Sequence, residues 1–382
     1  MHLDRVLLGG IPGVTSIEIA GRSSLVGGST PLERSPHVQL LQAHVEASGR
    51  ELTDEEISQS EYFRRGARLI ELDGHYIGAR SDEELVQVTR EFLSWYDDGE
   101  PPNRPERGSR NSEPYVRKIR YSECFSIVDG HHRLAIDYVK GVRTARVVVG
   151  LGSTSTPLQD HLLKMVWLDG RTELYQPIDA PELQSWTLAR RCSDRQAMAN
   201  DFLASAGLIP GDSQDGSRKL TYLDVGSFYG WFVKEMRDRG FDATGVELDP
   251  LAREVGISVY GLNPSSIEIG EASAYLANLE QPFDVVSCYS VLHHFALGRG
   301  PCSAAELMQL LSSATRSVLF FDTGEAHESW MRNTLPDWNV PFIQKWILEN
   351  SDFSTVIPLG VDGDARPPYQ KNYGRTLFAC VR

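Results

Sequence analysis

No run of about 18 apolar residues occurs anywhere in the 382-residue chain, so the sequence offers no membrane-spanning helix. Cysteine is scarce. The five present, Cys124, Cys192, Cys288, Cys302 and Cys380, are odd in number, far apart and without a C-x-x-C pair. That argues against a disulfide framework or a zinc site and leaves reduced thiols, as expected of a cytoplasmic protein; no metal ligand set is expected. The stretch Met1-His2-Leu3-Asp4-Arg5 lacks the basic and apolar regions of a signal peptide, in keeping with that location. Positive charge is in deficit too. A net charge of −14 disfavours broad contact with a phosphate backbone, so nucleic acid is not an expected partner. A length of 382 residues exceeds one average domain and predicts two.

What is present is most informative between Leu220 and Pro250. Tyr222-Leu223-Asp224-Val225 is a short apolar run that reads as a buried parallel strand, ended by Gly226. Gly226-Ser227-Phe228-Tyr229-Gly230 is a turn that allows close backbone approach. Trp231 to Arg239 reads as a helix stopped by Gly240, and Ala243 to Val246 as a second strand ending in Glu247. This order begins a doubly wound nucleotide-binding sheet. The turn, however, is G-x-x-x-G rather than G-x-G-x-x-G, with Asp224 before it and aromatics inside it. Such a turn suits a ligand with a cationic amino-acid end and an adenosine end better than a pyrophosphate.

Here the chain resembles the class I S-adenosylmethionine-dependent methyltransferases, whose first motif is D-x-G-x-x-x-G followed by an acid at the end of the second strand. The resemblance implies that Asp224, Gly226, Ser227 and Gly230 line the methionine end of the cofactor and that Glu247 accepts hydrogen bonds from the ribose hydroxyls. A carboxylate at a strand end has the lone pairs for that task. Phe228, Leu248 and Cys288 complete the expected cofactor-binding set. The alternation continues downstream: Ile267 to Ile269 as a third strand, Phe283 to Cys288 as a fourth, Ser317 to Asp322 as a fifth, Ser354 to Leu359 as a sixth and Gly374 to Cys380 as a seventh. Glu271, after the third strand, is the expected contact for the adenine amino group. Phe283-Asp284-Val285-Val286 followed by Val291-Leu292-His293-His294-Phe295 resembles the small-molecule members of the family, and the D/N-P-P-Y/F run of enzymes acting on exocyclic base amines is missing. His293 or His294 is the candidate general base, because a near-neutral imidazole suits removal of a hydroxyl proton. The resemblance spans about residues 185–382. It implies methyl transfer, O-methylation of a small molecule or saccharide being the expected reaction.

The first half reads differently. Residues 1–35 are rich in Gly, Ser and Thr, with short β-prone pieces such as Thr15 to Ile19, and are expected to form an N-terminal arm, either a strand pair or a loosely held segment. Ser35-Pro36 starts a helix, Thr53-Asp54-Glu55-Glu56 is a capping box whose helix runs toward Leu69, and a third helix covers about Asp82 to Tyr96. Pro101 to Pro114 is a loop in which Arg104, Arg107, Ser109, Arg110 and Ser112 could clamp phosphate. Strands at Val116 to Tyr121, Phe125 to Val128 and Arg146 to Val149 frame Asp129-Gly130-His131-His132-Arg133, which runs straight into a helix. An acid, two imidazoles and a guanidinium at a helix N-terminus make an anion site the natural expectation. The D-G-H-H-R-x-A run resembles the ParB and sulfiredoxin-like fold over roughly residues 60–150. That resemblance implies a phosphate or nucleotide pocket built from Asp129, Gly130, His131, His132 and Arg133, with ATP or ADP and Mg as the expected ligand. Some members are small-molecule kinases, for which Glu113 and Glu123 are positional candidates as the catalytic carboxylate. Between the halves, Arg190, Arg191 and Arg195 lead into a helix. The resemblance to class I methyltransferases implies that one of them, Arg191 being the one placed in the expected cofactor-binding set, pairs with the methionine carboxylate, the alternative being a solvated basic face.

The expected organisation is therefore α/β: an N-terminal arm (1–35), an α+β ParB/sulfiredoxin-like domain (36–155), a helical linker over the cofactor mouth (156–218), and a doubly wound, seven-stranded Rossmann-like methyltransferase sheet (219–382). Three functions follow: a methyltransferase with a phosphate-binding domain, a bifunctional kinase-methyltransferase, or a non-catalytic nucleotide- or DNA-binding regulator.

Overall fold

The structure is a computed structural model that describes residues 1–9, 24–99, 113–165, 170–210 and 219–382. The chain divides into two compact units. One comprises Met1–Gly170 with Asp179–Trp186, and the other Arg171–Ile178 with Thr187–Arg382. The stretch expected to link two domains is thus divided between them, residues 179–186 returning to the first unit. The arginine- and serine-rich loop and its candidate phosphate clamps up to Ser112 lie outside the described residues.

In the first unit, β1 (Val6–Leu7), β2 (Tyr115–Ile119), β3 (Phe125–Asp129) and β4 (Val148–Thr154) form a sheet in the order β1-β3-β2-β4. Residues 1–9 are built into this unit rather than standing off as an arm, because β1 pairs with β3 in parallel and Val6 and Leu7 are fully buried. Among the described residues, a single helical turn at Ser24–Gly27 and the longer helices α1 (Pro36–Glu46), α2 (Asp54–Gln59), α3 (Glu61–Asp73) and α4 (Asp82–Asp98) precede β2. The predicted helix from Thr53 to Leu69 is in fact two. Ser60 turns extended, at φ −70° and ψ 148°, ends α2, and accepts the Phe63 N–H to cap α3. Its short hydroxyl side chain competes with the helix for backbone partners. Then α5 (His131–Val139) follows β3 directly, and α6 (Pro157–Leu162) follows β4. Val38, Leu41, Phe92, Ile127 and Leu134 belong to one apolar cluster that joins the helices to the sheet.

The second unit opens with a parallel pair, β5 (Glu173–Leu174) and β6 (Thr187–Leu188), and then α7 (Ser193–Ser205). Its main sheet contains β7 (Thr221–Val225), β8 (Asp242–Glu247), β9 (Ile267–Ile269), β10 (Phe283–Tyr289), β11 (Thr315–Asp322), β12 (Thr355–Val361) and β13 (Thr376–Val381), in the order β12-β13-β11-β10-β7-β8-β9. All seven expected strands are present. The sheet is mixed, since β13 runs antiparallel to both β11 and β12. The helices are α8 (Trp231–Asp238), α9 (Pro250–Tyr260), α10 (Ala272–Ala277), α11 (Leu292–Ala296), α12 (Ala304–Ala314), α13 (Ser329–Arg332) and α14 (Val340–Glu349). Successive strand residues serve opposite faces. Leu223, Val286, Cys288 and Phe321 pack with α12 and α14 residues in one cluster, whereas Tyr222, Val285 and Phe320 pack with α7 and α8 residues in another. Burial on both faces explains why these strands read as nearly continuous apolar runs. The strand order reverses between β7 and β10, which opens a crevice at their carboxyl ends where open sheets bind ligands. Among the described residues no helix is long and apolar enough to cross a membrane, and no cluster of three or more His, Cys, Asp or Glu is placed to hold a metal.

Candidate active site

Asp224 lies one residue before the end of β7, opposite Ser287 of β10 and Gly245 of β8. It is almost completely buried and accepts a hydrogen bond from Ser287 Oγ at 2.6 Å, with Tyr222 Oη 2.5 Å from the same serine oxygen. Its other oxygen, Oδ2, is sealed and has no partner. Burial pushes the carboxyl up to about 7, against the pull of Ser287 and Arg195 and with some help from Glu247.

The turn that follows is held from both sides. The Gly226 and Ser227 N–H groups donate to Val246 O at 2.9 and 3.1 Å. Glu247 Oε2 accepts the Phe228 N–H at 2.8 Å, while its Oε1 accepts Leu248 N–H at 2.8 Å and Asp249 N–H at 3.0 Å. The carboxylate is thus gripped by backbone before any ligand arrives. Burial raises it, and these N–H bonds offset part of that rise. Gln176, which the sequence did not single out, clamps the turn from the β5 side: its Nε2 donates to Ser227 O at 3.1 Å and its Oε1 accepts Trp231 N–H at 3.3 Å. Gly230 has φ +81°, and a Cβ there would lie 2.7 Å from Ile267 Cδ1, so both backbone shape and space require glycine. Ser227 Oγ is buried and without a partner. Leu248 is exposed beside the turn.

Two expected contacts are placed differently. Cys288 is wholly buried in the core, where its thiol is raised by burial, so its side chain packs rather than faces the strand ends. Glu271 caps α10, its Oε2 accepting Ala274 N–H at 2.9 Å and Ser273 Oγ–H at 2.5 Å. Partial burial raises that carboxyl, but these bonds win and hold it below its ordinary value.

The guanidinium groups meet at Asp322, the last residue of β11. Arg191 is exposed, and it is Arg190 and Arg195 that are buried. Arg190 Nη2 lies 3.3 Å and Arg195 Nη1 3.2 Å from Asp322 Oδ2, while Ser290 donates its N–H at 2.8 Å and its hydroxyl at 3.0 Å to Oδ1. Ser290 itself accepts from Arg190 Nη1 at 2.7 Å and Arg375 Nη1 at 2.8 Å. Asp362 answers Arg190 at 2.6 Å, and Asp364 answers Arg195 Nε at 3.4 Å. Burial alone would raise Asp322, but Arg190, Arg195 and Arg375 outweigh it and hold the carboxyl well below the usual range. The alternation Asp362-Gly363-Asp364 just beyond β12, and an Asp closing a buried strand, were the available signals for this network.

His293 and His294 lie on α11. His293 is 3% exposed, and its Nδ1 accepts the Gly324 N–H at 3.1 Å. A backbone N–H can only donate, so neutral His293 carries its proton on Nε2. Burial, then Arg375 and His294, hold it well below its ordinary value. His294 is exposed, and burial, then Arg299 and Arg375, lower it as well.

In the first unit the D-G-H-H-R segment forms the junction of β3 and α5, with Gly130 as N-cap. Arg133 Nη2 pairs with Asp129 Oδ2 at 3.0 Å, His131 Nε2 donates to Leu8 O at 2.9 Å, and His132 Nε2 lies 2.7 Å from Tyr62 Oη. Glu123 pairs on the surface with Arg5 and Lys118, each at 3.6 Å.

Comparison with known proteins bears on the second unit. Residues 191–351 match the family model described as Methyltransferase domain. Among solved structures, the chain is similar to the bifunctional kinase-methyltransferase WbdD, at 19% identity and a TM-score of 0.44 over 58% of this chain and 45% of that one. It is also similar to a SAM-dependent methyltransferase from Archaeoglobus fulgidus (15% identity, TM-score 0.34, 49% of this chain and 94% of that one). A third is magnesium protoporphyrin IX methyltransferase (ChlM) from Synechocystis PCC 6803 with bound SAH (17% identity, TM-score 0.35, 50% and 84%). The chain spans less than half the length of the WbdD chain it matches. No curated protein matches it. The second unit is an S-adenosylmethionine-dependent methyltransferase domain of class I architecture.

Proposed function

We propose that the chain methylates an oxygen of a small molecule or saccharide, using S-adenosylmethionine. The observation that carries this reading is the turn from Gly226 to Gly230 at the reversal of strand order, bordered by two buried polar atoms without partners, Asp224 Oδ2 and Ser227 Oγ. An acceptor oxygen and a hydroxyl left unsatisfied in an apolar surround are costly unless a ligand completes them. The ammonium end of S-adenosylmethionine supplies the donors that they lack. Glu247, with a lone pair left beyond its backbone bonds, would accept from the ribose. Arg190 and Arg195 are the buried guanidinium groups on the side expected to face the carboxylate.

When bound, S-adenosylmethionine supplies an electrophilic methyl on a sulfonium. The chain contributes alignment above all, because fixing donor and acceptor in line removes much of the entropic barrier. His293 presents a donor at Nε2 rather than a base, which leaves His294 as the imidazole suited to taking a hydroxyl proton. Titration calorimetry of S-adenosylmethionine against wild type, Asp224→Ala and Glu247→Ala tests the site. Both variants are expected to lose binding, and unchanged affinity in the two would sink the proposal.

A second reading makes the protein bifunctional, the first unit binding a nucleotide with Mg and phosphorylating the acceptor that the second unit methylates. The Asp129-to-Arg133 motif at the start of α5 carries that reading. Wild type and His132→Ala incubated with labelled ATP and candidate saccharides would separate a kinase from a binding module, since absent turnover by wild type removes the kinase. A regulator that binds DNA is disfavoured by the net charge of −14, and a gel-shift titration checks it.

A further inference from the structure

We infer that the first unit holds a buried oxyanion site centred on Arg65 and His37, residues outside the D-G-H-H-R motif, and that it takes a phosphate group. This rests on the reading that the first unit binds phosphate, and it moves the ligand from the motif's surface to the interior beneath it.

Arg65 of α3 is 7% exposed. Its neighbours on the helix, Arg64 and Arg68, pair with Glu61 and Glu71 at the surface, but among the described residues Arg65 makes no ion pair. A guanidinium cannot shed its charge, so an uncompensated one in the interior is strongly unfavourable until an anion joins it. Burial lowers Arg65, and Tyr76, Tyr62 and Glu61 offset part of that fall.

The helix α1, which packs against α3, carries an unsatisfied polar atom. His37 of α1 is 3% exposed, and its Nδ1 is sealed without a hydrogen-bond partner. The His37 ring stacks on His131 with centroids 5.6 Å apart and meets His132 edge-on at 4.8 Å and Tyr62 at 5.2 Å. Burial, foremost, then His132, His131 and Arg65, keep His37 neutral, and burial keeps His131 neutral too, with a value of about 4. His37 and His131 therefore add no positive charge, and Arg65 supplies a permanent one. A planar guanidinium fork binds two oxygens of a tetrahedral oxyanion, and a neutral imidazole can donate to a third through Nδ1–H. The same His131 opens α5, whose N-terminus carries no side-chain cap and adds favourable dipole.

The test uses the full chain with inorganic phosphate, ATP and acetate as separate probes, read by calorimetry and thermal unfolding. Inorganic phosphate is expected to bind wild type and raise its melting temperature, with Arg65→Met losing affinity about tenfold or more and Arg133→Gln keeping it. Competition between phosphate and ATP would assign the site to a nucleotide's phosphate, and phosphate binding without ATP competition to the free ion. Without anion, Arg65→Met should melt no lower than wild type, because it removes an unpaired buried charge. A lower anion-free melting temperature would mean that the protein already satisfies Arg65 and would overturn the inference. So would retained phosphate binding in Arg65→Met, or acetate binding as tightly as phosphate. Loss in Arg133→Gln with Arg65→Met intact would overturn this location while leaving phosphate binding by the motif standing. No binding of phosphate or ATP by wild type would overturn both.

Discussion

Arg375 and Glu328 meet through two parallel bonds, Nε to Oε1 at 2.8 Å and Nη2 to Oε2 at 2.9 Å, and neither side chain reaches water. The fork joins the residue before β13 to the residue before α13, and Arg375 extends it to Ser290 at the end of β10. Glu328 also accepts the Trp330 indole N–H at 2.9 Å. These strand ends are thus held by ions rather than by apolar packing.

Breaking one half of this pair strands the other charge in the interior. Glu328→Gln or Arg375→Met should each cost about 3–5 kcal/mol, measured by urea unfolding of the full chain. The Arg375→Met/Glu328→Gln double variant should cost less than the sum of the singles, since no uncompensated partner is left. Strict additivity would mean that the two side chains are not coupled.

Asp224 carries a pH dependence of definite sign. Its carboxyl rises from 3.8 to about 7 in the fold, so between those values the folded chain holds a proton that the unfolded chain has released. Its contribution is full at the acid end and is lost as pH rises toward 7. Asp224→Asn keeps an oxygen for Ser287 and removes the titration. The stability of the variant relative to wild type should therefore increase across that window and level off above it. Denaturation curves at a series of pH values check this, and a flat difference would place the carboxyl at its ordinary value.

His293 and His294 separate in the same way by environment. Imidazole signals followed by NMR should show His294 titrating below 6.5 and His293 remaining neutral throughout the range from about pH 5.5 to 8. Nitrogen shifts should place the His293 proton on Nε2. A proton on Nδ1 would contradict the Gly324 hydrogen bond and restore His293 as a base.

The centre of the sheet was legible because β7, β10 and β11 are buried on both faces and each announces itself as an apolar run closed by a glycine, a serine or an acid. Asp224, Gly226 and Glu247 were legible for a related reason: the residue types at strand ends are constrained by what the backbone does next. The ion network was not legible. Arg190, Arg191 and Arg195 look alike in sequence, and which of them turns inward depends on Asp322, Asp362 and Asp364, residues that arrive more than a hundred positions later. Arg65 and His37 escaped for the opposite reason. Each sits on an amphipathic helix at a position where a long polar side chain ordinarily marks the wet face, and only the packing of α1, α3 and α5 shows them dry.

Gly226 links the turn to α11. It has φ +74°, and a Cβ there would stand 2.5 Å from Val291 Cγ2, immediately before the helix of the two histidines. Alanine would meet two penalties, about 1 kcal/mol for the left-handed backbone and a further displacement of Val291. Gly226→Ala is therefore expected to lower stability by about 1–3 kcal/mol and to weaken S-adenosylmethionine binding by moving the Ser227 and Phe228 N–H groups off their anchors. Adding Val291→Ala should relieve the clash and leave the backbone cost, so the double variant should recover part of the lost affinity. Calorimetry on the four members of that cycle measures the coupling. Recovery to wild-type affinity would mean that sterics alone require glycine here, and no recovery would mean that the left-handed turn itself sets the cofactor's seat.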